Sequence, residues 1–163
     1  MRTPPLAQIT RWAPLWALVL ALVAAPQATL AQDEGTRLLR TPDISQDKIV
    51  FVYAGDLWLV ESSGGVARRL TSHEGLELYP KFSPDGRSIA FSAEYSGTRQ
   101  IHVISVDGGT PRQLTWYNDI GEMPPRGGVD NIVQGWTPDG KKIIYRANRI
   151  GQDERLGRPF TVP

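Results

Sequence analysis

From residue 38 onward the apolar side chains come in short runs, each bounded by turn-forming residues. Ile49-Val50-Phe51-Val52-Tyr53 is apolar on successive positions rather than alternating ones, which is the pattern of a strand covered on both faces. Asp56 to Val60, Leu78 to Phe82, Ser88 to Ala93, Gln100 to Val106, Asn131 to Trp136, Lys141 to Ala147 and Arg158 to Val162 read as further strands. Leu38-Leu39-Arg40 reads as a first strand ended by Thr41-Pro42-Asp43, and Ala67 to Thr71 and Arg112 to Thr115 read as outer strands. The pattern predicts an all-β chain with little room for helix.

The runs repeat. Asp56-Leu57-Trp58-Leu59-Val60 with Arg68-Arg69-Leu70-Thr71 matches Gln100-Ile101-His102-Val103-Ile104 with Arg112-Gln113-Leu114-Thr115, and Leu70 and Leu114 lie 44 residues apart. That period suits a four-stranded propeller blade. Ser83-Pro84-Asp85-Gly86 and Thr137-Pro138-Asp139-Gly140 open the return strands, and Ser45-Gln46-Asp47-Lys48 is a worn copy. Proline presets φ, the aspartate accepts from nearby backbone amides, and glycine takes the left-handed position, so these residues build turns. Ser62-Ser63-Gly64-Gly65 and Asp107-Gly108-Gly109 read as hairpins. The expected fold is an incomplete β-propeller over residues 38–163: two four-stranded blades and part of a third, with the sequence stopping inside the third strand.

The first 31 residues differ from the rest. Arg2 and Arg11 precede an apolar run from Trp12 to Ala25, and Thr29 and Ala31 place small residues before a cut ahead of Gln32. This is the layout of a cleaved secretory signal, and the run is too short for the roughly 20 residues of a membrane span. A periplasmic or secreted location with no stable membrane anchor is expected, and residues 32–37 read as a polar lead-in. Removing Arg2 and Arg11 turns 18 basic against 17 acidic residues into 16 against 17. That balance gives no reason to expect a nucleic-acid partner. Without a single cysteine, stability has to come from packed β-structure rather than disulfides.

Little in the chain suggests chemistry. His73-Glu74-Gly75-Leu76-Glu77 lacks the second histidine of a zinc helix, so no metal is expected, and no cofactor loop is present. No Gly-x-Ser-x-Gly elbow accompanies the serines, so no catalytic residue is expected in this chain. Asp56, Asp85, Asp107 and Asp139 read as turn or strand-cap residues. His102 alternates with Ile101 and Val103 and reads as a packed or edge histidine rather than a base, and Trp58, Phe82, Phe91, Trp136 and Tyr145 read as core.

The Ser-Pro-Asp-Gly turn, the Asp-Gly-Gly hairpin and the Arg-Gln-Leu-Thr strand resemble the WD40-like propeller repeats shared by TolB and the tricorn-type proteases. Leu38-Leu39-Arg40-Thr41-Pro42-Asp43-Ile44-Ser45, Tyr53-Ala54-Gly55-Asp56-Leu57-Trp58, Thr71-Ser72-His73-Glu74-Gly75 and Trp116-Tyr117-Asn118-Asp119 with Met123-Pro124-Pro125-Arg126-Gly127-Gly128 resemble the tricorn type. The resemblance covers residues 37 to 163. It implies the N-terminal propeller of a large serine peptidase that degrades oligopeptides, with its catalytic residues in downstream domains and the propeller acting as gate or scaffold in a homo-oligomer. The alternative is a non-catalytic, TolB-like propeller that binds proteins, and a propeller preceding an α/β-hydrolase peptidase is a third reading. Since loops carry function more often than strands do, the loop residues with reach are the candidate peptide or subunit contacts: Tyr95, Arg99, Tyr117, Arg126, Arg146 and Arg149, with Glu77, Tyr79, Glu94 and Asp119 beside them.

Overall fold

Eleven strands are formed by the residues that the computed structural model describes, which are 38–116, 131–147 and 157–163. They run β1 (Arg40–Ser45), β2 (Lys48–Tyr53), β3 (Asp56–Glu61), β4 (Arg68–Arg69), β5 (Glu77–Phe82), β6 (Ser88–Ala93), β7 (Gln100–Ser105), β8 (Gly108–Gln113), β9 (Ile132–Trp136), β10 (Ile143–Ala147) and β11 (Arg158–Val162). All belong to the compact unit Thr36–Pro163. The proposed signal segment and lead-in, and the loop candidates Tyr117, Asp119, Arg126 and Arg149, lie outside the described residues.

Three antiparallel sheets result, in the orders β1-β2-β3-β4, β5-β6-β7-β8 and β9-β10-β11. These are two four-stranded blades and three strands of a third. Each blade begins with a strand that sits at the edge of its own sheet and contacts the first strand of the next, β1 against β5 and β5 against β9. The first strands are therefore innermost, around a common axis, as in a propeller.

Packing between blades explains the unbroken apolar runs. Val50, Val52, Leu57, Leu59 and Leu70 of the first blade meet Phe82, Ile89, Phe91, Ala93 and Ile104 of the second in one buried cluster. Ala90, Ile101 and Leu114 meet Val133, Ile143, Tyr145 and Ala147 in the next. Strand β6 thus sends Ile89, Phe91 and Ala93 to one neighbour and Ala90 to the other. Alternation of side chains along a strand makes this possible, and both faces need apolar residues.

The turns behave as their residues require. Asp85 accepts from the Ser83 hydroxyl at 2.5 Å and the Arg87 amide at 3.1 Å, and Asp139 repeats this with Thr137 and Lys141. Those bonds lower both carboxyl pKa values, while Gly86 and Gly140 take positive φ.

Several elements differ from the sequence reading. Strand β1 does not end at Thr41-Pro42-Asp43 but continues through them to Ser45, with a register shift between Arg40 and Asp43. A bulge on an edge strand accommodates the proline that normally stops a ladder. Strand β4 has only two residues, and β8 starts at Gly108 and ends at Gln113. Leu70 and Leu114 lie just past these strands, where each amide still bonds the carbonyl of Leu57 or Ile101 at 2.8 Å. Phe82, Phe91 and Tyr145 are buried, whereas Trp58 and Trp136 are half-buried and donate their indole N–H to the Tyr53 and Lys81 carbonyls.

Candidate functional site

Two places concentrate polar chemistry. The first is the junction where one blade hands over to the next. The Leu57 amide donates to Thr71 Oγ1 and the Ile101 amide to Thr115 Oγ1, each at 2.9 Å. The Leu-Thr ending of the repeat is thereby explained: leucine enters the core, and threonine caps the third strand.

Beyond the threonine the two junctions diverge. At the first, the Thr71 hydroxyl donates to Glu77, whose Oε2 also accepts from the Leu57 amide at 3.0 Å and whose Oε1 accepts from the Tyr95 hydroxyl at 2.5 Å. Glu77 is 0% exposed. Burial pushes its carboxyl above the ordinary range, against the opposing pull of those three donors. At the second junction the Thr115 hydroxyl donates to Gln100 Oε1 at 2.6 Å, and Asn131 donates to the same oxygen at 3.1 Å. Asn131 precedes the Thr137 turn by the same six residues that separate Glu77 from Ser83. One junction is built on a carboxylate, the other on amides.

Tyr95 stands at the centre of the first junction. Its ring lies 3.9 Å from His73 and 4.6 Å from His102, and His102 stacks on Phe91. Burial and the bond to Glu77 hold the Tyr95 hydroxyl well above the phenolic range, so it acts as a donor. His102 is 2% exposed, with Nδ1 3.1 Å from the Gln100 carbonyl, and burial lowers its pKa. Asp56 accepts from Arg69 at 2.6 Å and from the His73 amide at 3.2 Å.

Among the sequence-derived candidates, Tyr95 and Arg99 are neighbours in the loop after β6, and Arg99 grips Glu94 through Nε at 3.1 Å and Nη2 at 2.5 Å. Arg146, also read as a loop residue, is exposed on strand β10. Glu77, read as a loop residue, is instead the buried start of β5.

The second place is a groove on the axial side of the innermost strands. Thr41, Pro42, Tyr79, Pro80, Lys81, Val133 and Gln134 line an open cavity of about 290 Å³. Each inner strand has a register shift at the same relative position: between Arg40 and Asp43, between Leu78 and Lys81, and opposite Ile144 and Tyr145. Thr41 has φ +44° and Tyr79 φ +55°, a region costly for side chains with a Cβ, most of all for β-branched ones. The Thr41 hydroxyl oxygen is buried without a hydrogen-bond partner. Lys81 pairs with Asp43 at 3.0 Å, and Asp43 also accepts from the Phe82 amide at 2.8 Å, tying β1 to β5. Sequence reasoning singled out only Tyr79 here. The available signal was the Thr41-Pro42 and Tyr79-Pro80 pairs, which occupy the same position in successive copies.

Comparison with known proteins gives a consistent result. The family model described as the tricorn protease N-terminal beta propeller domain matches residues 36–163. Tricorn protease homolog 2 of Streptomyces coelicolor is 42% identical over 118 residues, covering 70% of this chain and 9% of the relative. The TolB protein of Desulfotalea psychrophila is 30% identical over 118 residues, 70% of this chain and 25% of that protein. The crystal structure of the tricorn protease superimposes with a TM-score of 0.56 at 30% identity, covering 67% of this chain and 11% of the other. The chain therefore spans about a tenth of the length of the tricorn relatives it matches.

Proposed function

This chain belongs to the tricorn protease N-terminal β-propeller family, and from that premise we propose that it forms the opening blades of an exported serine peptidase acting on oligopeptides. In this reading the blades gate or scaffold the path of the peptide, and the bond-breaking residues lie in other domains of the full-length protein. One observation carries it: the family match runs through all the described residues, and their innermost strands line an open groove at the axis. The serine hydroxyls that the structure places in bonds serve the fold. Ser83 donates to Asp85, Ser92 accepts from the Val133 amide, and Ser105 accepts from the Asp107 amide.

Incubating the full-length protein with a mixed oligopeptide library and following products by mass spectrometry tests this. Cleavage by the full-length protein and none by residues 1–163 alone is expected, because a nucleophile needs an adjacent base and an oxyanion site. A TolB-like binding role has its own support in the 30% identity to a TolB protein. A full-length protein that folds, cleaves nothing and captures envelope proteins would favour it. Export is tested by N-terminal sequencing, with Gln32 expected as the first residue. Recovery of Met1 from a membrane fraction would refute cleavage.

A further inference from the structure

The axial groove has a composition that selects its ligand. β1, β5 and β9 are each the terminal strand of their sheet, so the edge facing the axis has no ladder partner, and such edges are templates for an extended chain. Two of the three are blunted. Pro42 and Pro80 occupy the bulges of β1 and β5, and proline offers no N–H and is the usual guard of an edge. The corresponding residue of β9 is Gln134, exposed, without a partner in the register with β10, and carrying both a backbone N–H and a side-chain amide.

Charge narrows the choice further. Lys81 supplies the only formal charge among the lining residues, and Asp43 neutralises it at 3.0 Å. Pro42, exposed, and Tyr79, half-buried, supply apolar surface, while the Pro80 ring is buried. Thr41 combines a strained φ with an unmet hydroxyl, two costs at one residue of the lining. Rotation about χ1 would let that hydroxyl meet a donor or acceptor in the groove. At about 290 Å³ the cavity is at the small end of ligand sites, which run from about 300 Å³ upward, so it holds a short segment.

We propose that this groove binds a short, extended, uncharged stretch of peptide, held by the Gln134 amide at the inner edge of β9 against the Tyr79 and Pro42 surfaces. The proposal rests on the reading of the chain as part of an oligopeptide-handling protein and adds which part of a peptide the propeller grips: its neutral backbone rather than its charged ends.

The test uses the full-length protein and calorimetric titration with an N-acetylated, C-amidated tetra-alanine, the same peptide with free termini, and a capped tetra-glutamate. The capped neutral peptide is expected to bind tightest and the glutamate peptide weakest. Gln134→Pro, which installs the proline of the other two blades, and Gln134→Ala should each weaken the capped peptide roughly fivefold, the effect of one lost hydrogen bond. Thr41→Val keeps the branch at Cβ and removes the hydroxyl. It should leave stability unchanged or raised, because the oxygen has no partner to lose, and yet weaken binding; a purely structural threonine would not show that combination.

A photoreactive capped peptide should label Gln134 or Tyr79, a readout independent of any variant. Equal affinity for the glutamate peptide, unchanged affinity in both Gln134 variants, or labelling confined to other surfaces would each overturn the proposal. Peptide turnover measured in parallel separates the two readings. Gln134-dependent binding without hydrolysis keeps the groove and removes the peptidase, and hydrolysis without Gln134-dependent binding does the reverse.

Discussion

Glu77 shows how one side chain makes otherwise similar junctions different. Its carboxylate, buried between blades, collects the Leu57 amide and the Thr71 and Tyr95 hydroxyls, where the next junction uses Gln100 and Asn131. Burial holds the Glu77 carboxyl above its ordinary value of 4.5, so the folded state binds this proton more tightly than the unfolded chain does. The stability that this contributes is complete below about pH 4.5 and is lost as pH rises through the folded value. Glu77→Gln, which imitates the amide chemistry of the second junction, is therefore expected to flatten that loss above about pH 4.5. Glu77→Ala should cost about 3 kcal/mol, since it opens a cavity and strands three donors. Urea unfolding of the full-length protein at several pH values distinguishes them, and an unaltered pH profile in Glu77→Gln would show that the carboxyl does not titrate differently on folding.

At the scale of elements, the loop from Ser72 to Leu76 is fixed by close backbone approach. A Cβ added at Gly75 would lie 2.4 Å from the Glu94 carbonyl oxygen, and the Glu94 amide bonds the Leu76 carbonyl at 3.0 Å. Gly75→Ala must push these segments apart, loosening the stacking of His73 on Tyr95. A loss of about 1–3 kcal/mol is expected, together with faster hydrogen exchange at Glu94, whereas an unchanged exchange rate would mean that the loop yields freely. This contact also marks the limit of what the sequence discloses. Two strands were placed to the residue: Ser88–Ala93, because an apolar run between two turn signals has few other uses, and Arg158–Val162, because it matches the earlier copies of the repeat. The Asp85 and Asp139 turns were legible because their chemistry is local. Strand β1 was misread because proline ends most ladders, and only its position on an edge with a bulge lets the strand continue. Glu77 was misplaced for a related reason: its partners Thr71 and Tyr95 lie 6 and 18 residues away, and nothing in its immediate neighbours announces them. The groove combines both difficulties, since it is built by two or three residues from each of three blades.

For the whole molecule, the governing fact is that each blade is stabilised by the next. Both buried clusters lie between blades rather than within one, so a blade face without a neighbour presents apolar side chains to water. Leu38 and Ile44 on the first blade are 65% and 63% exposed, and Trp116 is 70% exposed. Among the described residues, β11 pairs only with β10, which leaves its other edge free. Open apolar faces and unpaired edges promote association, and repeat arrays draw much of their stability from neighbour contacts. Residues 38–163 on their own are therefore expected to form aggregates or oligomers, with amide protection strongest in β6 and β7, the central strands of the sheet that, among the described residues, is flanked on both sides, and weakest in β1 and β11. The same residues within the full-length protein should be evenly protected. Size-exclusion chromatography with hydrogen exchange on both proteins decides the matter. A monodisperse, uniformly protected monomer from residues 38–163 would show that two blades and three further strands already make a self-sufficient domain, and that closure of a ring is not what this sequence needs for stability.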